Sequence, residues 1–79
     1  MAAVKFDKGS EEWMMFMDFW NLCQKHWEPE DNDKYWDKLI KDCDDFFKKY
    51  KEIPMSRNLA CALSESLDKE YKKRKANNG

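Results

Sequence analysis

Glycine and proline are nearly missing from this chain, with two of each in 79 residues. Hairpins, sandwiches and barrels need frequent turn residues, so their scarcity excludes a β architecture. Long apolar runs are missing too. The longest, Trp13 to Met17, is five residues and far too short to cross a bilayer. The opening MAAVKFDKGS holds no apolar stretch of signal-peptide length, and a cytoplasmic protein is expected. Histidine occurs once, at His26, and no glycine-rich turn is present to cradle a phosphate or an oxyanion. The three cysteines are an odd number and read as reduced thiols, not a disulfide framework.

Aromatic residues and charge are abundant. Aromatics make up 15% of the chain, four of them tryptophan, beside 39% charged residues. A chain this short forms one domain with a modest core, so dense aromatic packing is the available source of stability. The net charge of −1 hides an uneven distribution. Residues 28–45 carry eight acids against three lysines, a balance of −5, and residues 46–79 carry nine basic residues against four acids, a balance of +5. A partner feels that asymmetry more than the total.

Periodicity predicts three helices, at about 10–27, 33–51 and 55–74, between a flexible segment 1–9 and a frayed tail 75–79. Ser10 is a candidate N-cap, followed by Glu11 and Glu12 in the first turn, where the helix dipole favours acids. Trp13, Trp20 and Trp27 are seven residues apart and lie close to one line, with Met15, Phe19 and Leu22 in a second row. The whole apolar arc, from Leu22 round to Met17, covers about 220°. Pro29 ends the helix, and Asn32 or Asp31 caps the next. The second helix is the most clearly amphipathic, with Tyr35, Trp36, Leu39, Ile40, Cys43, Phe46, Phe47 and Tyr50 on an arc of about 140°. Glu52-Ile53-Pro54 breaks the pattern, and a third helix carries Leu59, Ala60, Leu63, Leu67 and Tyr71 before ending in Lys72–Lys75.

Connections this short force neighbouring helices antiparallel, and the expected fold is all-α, an up-down-up three-helix bundle. A helix in such a bundle buries roughly 140–160° of its circumference, which the first helix exceeds. The expectation is an uncovered strip on Met15, Phe19 and Leu22, serving as a docking or self-association surface. The acids Glu28, Glu30, Asp31, Asp33, Asp37, Asp44 and Asp45 complete the candidate partner-binding set, because spaced carboxylates steer toward basic nucleic-acid channels. Lysines at i+3 and i+4 spacing offset that field, and a solvated, self-paired helix face explains the acids as well.

No cofactor or metal is expected. Cys23 and His26 form one loose pair, whereas structural zinc sites bring ligands in close pairs, and Cys23 and Cys43 lie in apolar arcs. Asp31, Asp33 and Asp37 suggest a calcium loop, but its sixth and twelfth positions hold Trp36 and Asp42, not glycine and glutamate. A cysteine nucleophile needs an electropositive, accessible setting that Leu22 and Gln24 do not give Cys23, and the chain reads as non-enzymatic. The basic end of the third helix also fits a small DNA-binding regulator, ranked second because the start of that helix carries only Arg57.

The segments WMMFMDFWNLCQKHWEPEDNDKYWDKLIKDCDDFFKKYK and SRNLACALSESLDKEYKK carry a resemblance. An aromatic-rich helix leads through Asp31, Asn32, Asp33, Tyr35 and Trp36 into a helix ending Lys48, Lys49, Tyr50, then one ending Leu67 and Glu70. This resembles small helical accessory proteins encoded by phages, prophages and mobile elements of Firmicutes. It spans roughly residues 13–73 and rests on core and capping residues, so it brings no site residues, and Cys61 and Ser64 depart from the aliphatic third helix of the class. The resemblance implies an accessory factor in a bacterial host cell that binds a host protein. An anti-CRISPR-like inhibitor of a nucleic-acid-processing enzyme is one form of that role. A homodimer is the rival use of the strip.

Overall fold

The computed structural model describes residues 3–78, and Met1, Ala2 and Gly79, parts of the expected flexible ends, lie outside them. Three helices follow one another: α1 (Glu11–His26), α2 (Asp33–Lys49) and α3 (Met55–Asn78). No strand occurs among the described residues. The chain is an all-α three-helix bundle.

Local chemistry sets the boundaries. Ser10 caps α1, its Oγ accepting from the Trp13 N–H at 3.3 Å, one of the orphan donors of the first turn. The preceding turn needs a left-handed residue, and Gly9 supplies it at φ +91°. Asn32 caps α2, its Oδ1 accepting from the Tyr35 N–H at 2.7 Å. Between α2 and α3 the backbone N–H of Ile53 donates to Tyr50 O at 2.9 Å. The fully buried Ser56 then donates its hydroxyl to the same Tyr50 carbonyl at 2.9 Å. That bond is the carbonyl's second, and it gives the buried Ser56 hydroxyl its partner.

The expected frayed tail is helix instead, through Asn78. Residues 75–78 continue because no breaker precedes Gly79 and because ion pairs brace the preceding turns, Lys72 to Asp68 and Arg74 to Glu70, each at 3.0 Å. The cluster of cations also suits the negative end of the helix dipole.

The side chains show the up-down-up course. Tyr50 at the end of α2 reaches Asp18 in the first half of α1, while His26 at the end of α1 reaches back to Asp42. Trp36, early in α2, packs edge-on against Tyr71, late in α3, at 5.5 Å between ring centroids. The core takes Met15 and Leu22 from α1, Tyr35, Leu39, Cys43, Phe46 and Tyr50 from α2 and the turn after it, and Ala60, Leu63 and Leu67 from α3.

One expectation is overturned here. Met15 is 1% exposed and Leu22 8%, and Phe19 packs against the core with its ring 5.8 Å from Phe46. The row expected to stay uncovered is the row the bundle seals. Helices in contact sit about 8–10 Å apart, which leaves room for Met, Leu and Phe at a three-helix junction but not for a line of indoles. The surplus of apolar surface on α1 is real, and it lies on the other row.

Neighbouring residues of α2 test the burial pattern. Leu39→Ala should cost about 3 kcal/mol in urea unfolding, since Leu39 is 1% exposed. Ile40→Ala, at 64% exposed, should fall within about 0.5 kcal/mol of the parent.

Candidate functional site

Polar groups fix how α1 is rotated about its own axis. His26 continues the buried row of Met15, Phe19 and Leu22, eleven residues after the first of them, and is itself buried. Its Nε2 lies 2.8 Å from Asp42 Oδ2, and the Tyr35 hydroxyl donates to its carbonyl at 2.7 Å. Lys25 pairs with the same Asp42 oxygen at 2.9 Å, and Lys38 stands 3.9 Å from the other. Burial alone raises the Asp42 pKa, but the hydrogen bonds from Lys25 and His26 and the charges of Lys25 and Lys38 outweigh it. The carboxyl is held below its ordinary value. A second clamp lies two turns earlier. Asp18 accepts from the Tyr50 hydroxyl and from Lys49 at 2.9 Å. Desolvation opposes its ionisation as well, but the two donors overcome it and its pKa is lowered.

With that face turned inward, the tryptophan line turns out. At about 100° per residue, Trp13, Trp20 and Trp27 fall within about 40° of one another, and centre about 130° from the buried row. Trp20 is 61% exposed and Trp27 65%, Phe16 and Met17 are exposed beside them, and Trp13 is half-buried. The N-terminal segment folds back so that the exposed Phe6 ring lies 5.6 Å from Phe16. Beside the Trp27 end, a groove of about 330 Å³ runs between α1 and α3, lined by Ser66, Leu67, Glu70 and Arg74. These are the candidate docking residues, and the sequence-based choice of row missed them. The seven-residue tryptophan spacing was the available signal. The fourth tryptophan plays a different part, since Trp36 is wedged between Tyr35 and Tyr71 at the α2–α3 seam.

The acids Glu28, Glu30, Asp31, Asp33, Asp37, Asp44 and Asp45 all lie exposed on the surface. Several are engaged within the bundle: Asp45 pairs with Lys41 at 2.9 Å and Asp44 with Lys48 at 2.8 Å one turn away, and Asp31 accepts from the Tyr71 hydroxyl of α3 at 2.6 Å. Among the described residues no ion pair reaches Glu28, Asp33 or Asp37. The acids therefore form no single face with Met15, Phe19 and Leu22, which lie inside.

The remaining reactive groups are scattered. Desolvation, aided by the charge of Asp42, pushes the Cys43 thiol up to about 11, and burial also raises Cys23, so neither is an activated nucleophile. Cys61 is exposed on α3. Among the described residues no three His, Cys, Asp or Glu side chains converge to hold a metal, and no helix is long and apolar enough to cross a membrane. An open groove of about 540 Å³ at the end of α1 is rimmed by Lys25, Lys34 and Lys38 with Glu30 and Tyr35, and Lys25 and Lys38 are turned toward Asp42.

Comparison with protein-family profiles, with characterised proteins and with solved structures gives no match.

The Asp42 clamp has a pH signature. A carboxyl whose pKa is depressed on folding adds stability above its unfolded value near 4, and loses it as pH falls through the folded value. Asp42→Asn should cost about 2 kcal/mol at pH 7 in chemical denaturation, and the gap to the parent should narrow as pH drops beneath the ordinary carboxyl range and the Asp42 carboxyl takes up its proton.

Proposed function

We propose that the protein is a non-enzymatic protein–protein interaction module that docks through the aromatic stripe of α1, Trp13, Phe16, Trp20 and Trp27. One observation carries this reading. Two tryptophans more than half exposed stand in line on a helix whose other apolar row, Met15, Phe19 and Leu22, already packs into the core. Large exposed aromatics keep apolar area in water unless another surface covers them, and tryptophan is among the residues that dominate binding energy at interfaces. Anchors at i, i+3, i+7 along one helix also fit recognition of a groove by a helix. The buried, Asp42-bound His26 and the raised thiols favour binding over catalysis.

The resemblance to mobile-element accessory proteins makes the foreign partner a bacterial host protein. An anti-CRISPR-like block of a nucleic-acid-processing enzyme suits the acids Glu28, Asp33 and Asp37, which would steer toward a basic channel. Direct DNA binding is the second reading, favoured by the way α3 carries Lys69, Lys73 and Lys75 to its far end. The pairing of Lys72 with Asp68 and of Arg74 with Glu70 weighs against it. A gel shift at low salt separates the two, since phosphate contacts weaken with added salt.

The stripe has a direct test. Trp20→Ser with Trp27→Ser should keep far-UV helicity, shift stability by less than about 1 kcal/mol and abolish capture of the partner from host lysate. Met15→Ser should instead cost about 3 kcal/mol in unfolding. Unchanged capture by the double tryptophan variant rejects the stripe as the docking surface.

A further inference from the structure

The stripe has an internal symmetry that selects its occupant. Trp13, Trp20 and Trp27 are spaced evenly about Trp20, roughly 10 Å apart along the helix axis. Such a row is self-complementary under a two-fold axis through Trp20: turned end for end, Trp20 meets Trp20 and Trp13 meets Trp27. An isologous contact requires a patch that matches itself in this way. We propose that the chain forms an antiparallel homodimer through α1, with Trp20 on the two-fold axis; this rests on the stripe being a docking surface.

The available area is sufficient. With aromatic side chains carrying roughly 150–250 Å² each, the exposed parts of Phe6, Phe16, Trp20 and Trp27 amount to about 400 Å² per copy. Doubled, that supplies the apolar share of a stable interface of about 1,200–2,000 Å².

Charge favours the antiparallel sense. The acidic start of α1, Glu11 and Glu12, arrives at the other copy's Trp27 end. There α3 brings Lys73 and Lys75 beside an Arg74 held by Glu70 and a Lys72 held by Asp68, a cationic end that outnumbers the one opposing acid, Glu28. Helix dipoles also oppose in this arrangement, whereas a parallel pair sets like ends side by side.

Light scattering over about 1 to 300 µM should show the parent rising to twice the monomer mass and Trp20→Glu remaining monomeric, while Ile40→Glu, changed on the exposed face of α2, dimerises like the parent. Two double variants test the register with equal loss of indole. Trp13→Lys with Trp27→Glu sets lysine against glutamate across an antiparallel pair and should self-associate at least about tenfold more tightly than Trp13→Lys with Trp27→Lys. A parent that stays monomeric throughout, a Trp20→Glu protein that dimerises as well as the parent, or equal association of the two double variants overturns the proposal. Partner capture by the Trp20→Ser, Trp27→Ser protein then separates the failures. Lost capture with a monomeric parent means the stripe docks a foreign chain, and retained capture removes the docking surface as well.

Discussion

The position of α1 depends on a buried histidine finding its acid. His26 lies within the bundle, and an imidazole there without a partner would cost more than most single contacts return. Asp42 supplies the acceptor at 2.8 Å, and Asp18 with Tyr50 does the same two turns earlier. Two such clamps toward one neighbour leave α1 no freedom to roll. Turning it far enough to bury the tryptophans would break both and bring Lys25 and Asp18 out of reach of their partners. Polar satisfaction decides which greasy row is core, although the apolar rows supply most of the energy.

That ordering explains what was legible in the amino-acid sequence. Helix starts were, because Ser10 and Asn32 are side-chain caps whose function depends on local sequence alone. The α2 core was also legible, since Leu39, Cys43 and Phe46 share a narrow arc with charges around it. On α1 the arc is too wide for periodicity to choose a side. The missing information was long-range: the Asp42–His26 pair spans sixteen residues, and no local pattern announces it. In sequence His26 stood out only through a loose spacing to Cys23 that does not make a metal site, and nothing local marked it as part of the buried row. The end of α3 was misjudged for a different reason, because the i,i+4 pairs of Lys72 and Arg74 outweigh the usual fraying of a terminus.

The acidic stretch divides along similar lines. Asp42 belongs to the interior and works on stability, whereas Asp44 and Asp45 are tied to lysines one turn away on the same helix. Surface pairs of that sort contribute little and are screened by salt. The charge asymmetry between the halves of the chain is therefore softer in space than in sequence.

Those rings also make the chain its own optical probe. Trp20 and Trp27 face water, while Trp36 sits among Tyr35 and Tyr71. Indole emission from this protein is thus weighted toward its surface, reporting whatever covers α1 more strongly than it reports the melting of the bundle. A blue shift on concentration or mixing would register occupancy of the helix without a label.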